Sequence, residues 1–203
     1  MSKVILDISM SLDGFIAGSN DDQKQPLGDR GETIHSWLFS GDQPSRYNDF
    51  FKLSSINRNV FDESIPTTTG AMVVWRRTFD NVNGWGGSHP IQGVPVFVVT
   101  HKAPKTYLEG NTRFTFVTDG IESAVRQAKK AANGKNISIG TASIGKQCIQ
   151  VQLLDEMHLH VALILLVKGI CLFDQIGTEL IKLESEKVVD GSDVIQLKYK
   201  LLY

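Results

Sequence analysis

The most informative stretch of the chain is Ala71-Met72-Val73-Val74-Trp75-Arg76-Arg77-Thr78-Phe79-Asp80. Its first four residues are apolar and predict a buried strand. Arg76, Arg77 and Thr78 follow at the expected start of a helix, where backbone N–H groups are free and the helix dipole is positive. Because guanidinium groups bind phosphate through paired hydrogen bonds, this strand–turn–helix unit predicts a phosphate cradle. A solvated helix start is the alternative, since arginines are common on exposed helix faces.

The composition is that of an ordinary globular protein, and we expect residues 1–203 to form a single domain. Hydrophobic residues make up 41% of the chain and charged residues 21%, and the formal net charge is −1. A chain this close to neutral has no basic field for nucleic acid or an anionic membrane. Any phosphate recognition must therefore be local.

The sequence carries no visible export or membrane signal. The longest apolar run, 161–167, is far shorter than the ~18 residues that a spanning helix needs. Cys148 and Cys171 lie in apolar surroundings and are expected to be free, buried thiols of a reducing compartment. These observations predict a cytoplasmic protein.

Predicted strands and helices alternate through the middle of the chain, and a hairpin around Asp190-Gly191 ends it. This order predicts an α/β fold with a central mixed, mainly parallel sheet and an antiparallel C-terminal hairpin at one edge. Residues 18–31 form a long polar loop, which in a compact domain is usually functional or mobile. The predicted strands are 3–10, 71–74, 95–100, 114–117, 137–140, 155–166, 180–189 and 194–202, and the predicted helices are 33–39, 45–61, one from 76, 121–132 with a capping box at 119–122, and one through 144–148.

Two further polar segments follow predicted strands. Thr100-His101-Lys102 offers a hydroxyl, an imidazole and an ammonium group, which suit a second phosphate such as the 2′-phosphate of NADP, or simply a polar strand end. Residues 140–146, Gly-Thr-Ala-Ser-Ile-Gly-Lys, fit the first positions of a P-loop, but Gln147 lacks the hydroxyl that would hold Mg²⁺. We therefore favour a glycine turn beside a pyrophosphate or nicotinamide over an NTPase site.

Two other clusters have both a chemical and a structural interpretation. Glu156, His158 and His160 alternate along one strand face, and a histidine pair in the core or at its rim is favoured over zinc because no third ligand follows. Residues 11–17 form either a tight turn around Asp13-Gly14 or a substrate loop, in which Asp13 accepts a ring N–H and Phe15 stacks. The residues alone leave that choice open.

The order of six segments resembles the RibD C-terminal reductase family, which shares the dihydrofolate reductase fold. These segments are 10–17, 76–80, 84–87, 95–101, 153–156 and 169–173. The resemblance covers nearly the whole chain and implies a three-layer fold, NADPH as hydride donor, a small heterocyclic substrate and often a homodimer. It implies cofactor contacts at Trp75, Arg76, Arg77, Thr78, Thr100, His101, Lys102, Gly140, Thr141, Ala142, Ser143 and Ile144, and substrate contacts at Met10, Ser11, Asp13 and Phe15.

The resemblance implies an NADPH-dependent reductase similar to the 5-amino-6-(5-phosphoribosylamino)uracil reductase of riboflavin biosynthesis. Two alternatives stay open: a pterin reductase of the dihydrofolate reductase type, and a non-catalytic dimer that binds nucleotide weakly. The second is motivated by Trp75 and Thr141, which stand where the family tends to have glycine. No residue is assigned as catalytic, and Asp49 is a weak candidate for the proton donor. We expect no metal and, without a His/Cys/Cys zinc pattern, no deaminase activity.

Overall fold

The fold is that of a computed structural model, which describes residues 2–47 and 49–203. Within these residues, eight strands form one sheet in the order β11-β12-β9-β1-β8-β5-β6-β7. The strands are β1 (Val4–Ser11), β2 (Phe15–Ala17), β3 (Gln43–Pro44), β4 (Lys52–Leu53), β5 (Thr69–Trp75), β6 (Val96–Val99), β7 (Phe114–Val117), β8 (Asn136–Ile139), β9 (Glu156–Ala162), β10 (Ile170–Cys171), β11 (Lys182–Asp190) and β12 (Val194–Leu202). The α-helices are α1 (Ser55–Thr68), α2 (Arg76–Asn81), α3 (Ile121–Ala131) and α4 (Ala142–Gln150), with 3₁₀ segments at Gly31–Phe39 and Asn83–Gly87.

The sheet confirms the predicted mixed topology. Strand β1 pairs in parallel with β8 and β9, and β5 pairs in parallel with β8 and β6. Strand β12 runs antiparallel to β9, and the β11–β12 hairpin completes that edge. The carboxyl ends of the central strands therefore lie along one edge of the sheet, where open α/β sheets bind ligands.

Helices cover both faces of the sheet, as expected for three layers. Because strand side chains alternate, Val4, Leu6, Ile8 and Met10 of β1 join the core under α3 and α4. The opposite face is covered by the 3₁₀ helix Gly31–Phe39 and by α1, whose Trp37 and Phe61 pack with the other side of β5 and β6. The other side chains of β1 point to that second face, because they alternate with the four core residues. They are Ile5, Asp7, Ser9 and Ser11.

One predicted helix, at 45–61, is wrong over its first part. Helix α1 begins only at Ser55, since Lys52–Leu53 pairs with Gln43–Pro44 as a short antiparallel ladder. The buried Ser45 hydroxyl also donates a 2.6 Å hydrogen bond to Asp62, which fixes this segment against α1 instead of within it. Asp49, the candidate proton donor, lies outside any helix and is exposed.

Other boundaries differ for local reasons. Strand β9 ends at Ala162 rather than at 166, because the Asp13 carboxylate accepts the backbone N–H groups of Leu166 and Val167 and turns the chain away. The capping-box prediction is wrong as well. Gly120 is the N-cap of α3, with φ of 94°, and no side chain caps the helix.

Cys148 is a free, fully buried thiol as predicted, whereas Cys171 is free but only half-buried. Within the described residues, no helix is both long enough and apolar enough to cross a membrane.

Candidate functional site

A cavity of about 520 Å³ opens at the carboxyl ends of the central strands. Ser9 of β1, Trp75 at the end of β5 and Gly140 just after β8 contribute to its lining. Residues 18–21 and Pro26-Leu27 of the long polar loop form another wall. The predicted functional loop is therefore part of the same site as the predicted cradle.

Arg77 lines this cavity and is tied to the polar loop. Its Nε donates to Asp21 Oδ2 at 2.8 Å and its Nη2 donates to Asp21 Oδ1 at 2.6 Å. Asn81 Nδ2 donates to the same carboxylate at 2.8 Å. The Asp21 side chain is only 9% exposed, and its hydrogen bond and charge raise the pKa of Arg77. Arg77 of the predicted cradle is thus already paired with an internal carboxylate.

Arg76 points to a different neighbour. Its Nε donates to Asp80 Oδ1 at 2.7 Å and its Nη1 donates to the backbone carbonyl of Lys102 at 2.9 Å. The Trp75 indole meets the His101 ring edge-on, with centroids 5.8 Å apart. The arginines and the Thr100-to-Lys102 corner therefore lie side by side, although Arg76 and that corner do not line the cavity itself.

The start of α4 contributes a second part of the lining. Gly140, Thr141, Ala142 and Ser143 line the cavity, and Thr141 is the N-cap of α4. The Thr141 hydroxyl is buried and has no hydrogen-bond partner among the described residues. A buried hydroxyl without a partner is costly, so this atom marks a place where a ligand could bind.

The predicted cofactor residues thus divide into two groups. Those that line the cavity are Trp75, Arg77, Thr78, Gly140, Thr141, Ala142 and Ser143, and those that do not are Arg76, Thr100, His101, Lys102 and Ile144. Ile144 is a residue of α4 whose side chain is fully buried in the core. The cofactor role of both groups stays a prediction.

The four predicted substrate residues lie outside the cavity lining. Met10 belongs to the core, and the Ser11 hydroxyl donates to Asp13 at 2.5 Å. Desolvation raises the pKa of Asp13, but the hydrogen bonds from Ser11, Leu166 and Val167 outweigh it and lower the pKa overall. Asp13 therefore links two turns by accepting hydrogen bonds from both. Substrate contact by Met10, Ser11, Asp13 or Phe15 stays a prediction.

Apart from the 18–27 loop, the predicted site residues do not include four polar residues of the lining: Ser9, His35, Asn81 and Lys146. Burial lowers the pKa of His35 to about 4 and outweighs the opposite effect of the Gly31 carbonyl. Lys146 forms an ion pair with Asp174. Lys146 lies less than two helical turns after Gly140. This spacing in the sequence could have predicted that Lys146 lies near the same cavity.

Glu156, His158 and His160 share one strand face, as the period of two predicts, and Asp7 of β1 joins them. Asp7 lies 3.5 Å from His158 Nδ1 and 3.2 Å from His160 Nε2, and His158 Nε2 lies 3.0 Å from Glu156. Burial raises the pKa of Asp7, but the hydrogen bonds with both histidines outweigh it and hold that pKa well below its usual range. In the part of the chain that the structure describes, no three His, Cys, Asp or Glu side chains are grouped to hold a metal.

Comparison with known proteins identifies the family. A family model described as the RibD C-terminal domain matches residues 2–197. A comparison with curated proteins gives no match.

Solved structures share the fold at low sequence identity. A protein from Shewanella sp. PV-4 assigned to riboflavin biosynthesis is 20% identical with a TM-score of 0.69, and the match covers 100% of both chains. The Thermotoga maritima diaminohydroxyphosphoribosylaminopyrimidine deaminase/5-amino-6-(5-phosphoribosylamino)uracil reductase is 12% identical with a TM-score of 0.66, covering 99% of this chain and 57% of that one. Enterococcus faecalis dihydrofolate reductase, solved with NADP(H), is 14% identical with a TM-score of 0.55, covering 98% and 97%. These likenesses establish the dihydrofolate reductase-like fold.

Proposed function

The chain belongs to the RibD C-terminal domain family, and from this premise we propose that it is an NADPH-dependent reductase of a small heterocyclic substrate. The favoured substrate is 5-amino-6-(5-phosphoribosylamino)uracil, which the structurally similar Thermotoga protein is described as reducing. The observation that carries the proposal is the large cavity at the strand ends, lined by Thr78, Arg77 and the start of α4.

The residues of the cavity fit a dinucleotide. Helix α4 presents free backbone N–H groups beside Ala142 and Ser143, and such groups attract phosphate. The unpartnered Thr141 hydroxyl adds a donor. At Gly140 a Cβ would meet only Met72 Cε at 4.0 Å, so the backbone is open to close approach.

We assign separate tasks to the chain's own residues. Thr78, Arg77 and Ala142–Ser143 would hold the phosphates, while Thr141 would bind a further polar group of the cofactor. When bound, the nicotinamide supplies the hydride. Trp75 and the 18–27 loop enclose the cavity and would keep water from the reacting atoms.

One observation favours a second candidate, a non-catalytic protein that binds nucleotide weakly. Arg77 is already neutralised by Asp21, and Lys146 is paired with Asp174. Both cations of the lining therefore have an internal carboxylate, which weakens the attraction of the lining for a ligand phosphate.

NADPH binding and turnover separate the two candidates. Trp75 lines the cavity, so NADPH binding should quench tryptophan fluorescence. A reductase should then oxidise NADPH when the pyrimidine is added and oxidise it much more slowly with dihydrofolate. Saturable quenching without oxidation would favour the non-catalytic candidate, and a flat response up to millimolar NADPH would remove the reductase proposal.

A further inference from the structure

Besides Thr141, two polar side chains of the cavity lining are only partly satisfied by the protein. His35 Nδ1 is enclosed and makes no hydrogen bond with the described residues. The Ser9 hydroxyl oxygen accepts a 3.0 Å hydrogen bond from Trp37 Nε1, and no acceptor for the hydroxyl's own hydrogen is found in the described part of the chain. Both residues line the cavity. Each therefore keeps a hydrogen-bonding group that the described residues leave without a partner.

The Ser9 hydroxyl is held in place through its hydrogen bond with Trp37. The Trp37 indole stacks on the His160 imidazole, with ring centroids 4.6 Å apart. His160 is fixed in turn by Gln196 at 3.1 Å and by Asp7 at 3.2 Å. Trp37 cannot rotate without breaking this stack, so its indole N–H continues to donate to the Ser9 oxygen. The hydrogen of the Ser9 hydroxyl must therefore point elsewhere.

The chemistry of the pair selects an uncharged partner. Burial holds His35 in the neutral form at pH 7, since its pKa is lowered to about 4. In a neutral imidazole one nitrogen donates and the other accepts, and the Gly31 carbonyl uses the donor. His35 therefore keeps an acceptor for a ligand, and the Ser9 hydroxyl supplies a donor. An adjacent N–H and C=O, as on the lactam edge of a pyrimidinedione or pterin, complements this set. A phosphate does not, because it carries no donor for the acceptor nitrogen.

We propose that His35, together with Ser9, binds the lactam edge of the heterocyclic substrate and sets the preference for an uncharged ring there. This assignment rests on the proposed reductase function, and it names the residue of this chain that contacts the substrate. Cofactor binding belongs to Thr78, Arg77 and α4.

Substitution of His35 tests the assignment by separating substrate from cofactor affinity. His35→Leu should raise the KM for 5-amino-6-(5-phosphoribosylamino)uracil about tenfold, as expected for one or two lost hydrogen bonds. The Kd for NADPH should stay within about twofold. His35→Gln, which keeps a donor and an acceptor, should recover most of the KM.

His89 provides a matched control. Burial also lowers its pKa to about 4, and its Nδ1 accepts the Ile91 N–H at 3.0 Å, but it does not line the cavity. His89→Gln should leave the KM unchanged. A KM for His35→Leu within about twofold of the wild type, or an equal rise in His89→Gln, overturns the assignment.

A second measurement keeps the assignment independent of turnover. If the wild type does not oxidise NADPH, the proposed function fails, and the ring ¹⁵N signals of His35 are then followed while the pyrimidine alone is added. A saturable shift of the His35 signals with unchanged His89 signals supports the assignment. Unchanged His35 signals up to millimolar pyrimidine overturn it.

Discussion

Arg77 and Asp21 are joined by two hydrogen bonds, of 2.8 and 2.6 Å, across 56 residues of sequence. The carboxylate comes from the polar loop and the guanidinium from α2, so one ion pair closes the loop onto the cavity. The Asp21 oxygens take the Nε donor and one Nη2 donor of the predicted cradle, whereas the Nη1 donors are not used by Asp21. A phosphate that binds Arg77 therefore either shares the guanidinium with Asp21 or displaces this carboxylate.

We expect Asp21→Asn to tighten NADPH binding. Removing the competing negative charge frees the guanidinium, and the Kd for NADPH should fall about tenfold, equivalent to about 1.4 kcal/mol. Fluorescence titration measures this change. Glu63→Gln, which removes an ion pair between α1 and Lys187 of β11, is the control and should leave the Kd unaltered.

Arg77→Ala should act in the opposite direction and should depend on Asp21. Loss of a charge-assisted contact costs about 1.5–3 kcal/mol, so the Kd should rise at least about tenfold. The double variant Asp21→Asn/Arg77→Ala should bind better than Arg77→Ala alone, because the unpaired carboxylate no longer repels the phosphate. Equal affinities of the two variants would mean that the ion pair and the ligand do not compete.

The Thr141→Val substitution distinguishes the effect of the Thr141 hydroxyl on stability from its effect on NADPH binding. The Thr141 hydroxyl is buried without a partner among the described residues, so replacing it by a methyl group should raise the free energy of unfolding by about 1 kcal/mol. The same change should weaken NADPH binding severalfold if the cofactor uses that hydroxyl. Urea unfolding and NADPH titration of this variant, with Thr115→Val on β7 as control, check both effects. A more stable variant with unchanged NADPH affinity would contradict the assigned contact.

Acid should destabilise the protein between about pH 6.5 and pH 4. Burial lowers the pKa of His89 to about 4, whereas the unfolded chain takes up that proton near the ordinary value of about 6.5. The unfolded state therefore binds more protons in this window, and stability falls as the pH falls. The contribution of His89 is roughly 3 kcal/mol.

Urea unfolding at pH 7, 5.5 and 4.5 measures this dependence. His89→Gln should remove the His89 share of this dependence, because glutamine does not titrate, while buried His35, whose pKa is also lowered to about 4, keeps its own share. The ionised Asp7, whose pKa is lowered, adds stability above pH ~4 that is lost on further acidification. A free energy of unfolding that stays constant from pH 7 to 4.5 would show that His89 is not buried in the neutral form.

The sequence predicted the fold and the neighbourhood of the strand ends well. Arg76 and Lys102 lie together because they follow parallel, adjacent strands, a relation that strand order alone implies. The Asp21–Arg77 pair could not be predicted, since nothing local links a loop carboxylate to a guanidinium so far along the chain. His35 was missed for a similar reason: which face of a short 3₁₀ segment meets the sheet depends on tertiary packing.

We propose that the strand ends form a cavity for NADPH, and crystals grown with millimolar NADPH test this proposal. Electron density for the dinucleotide should lie against Thr78 and the 140–143 turn. An empty cavity, or a nucleotide bound elsewhere on the protein, would rule the proposal out.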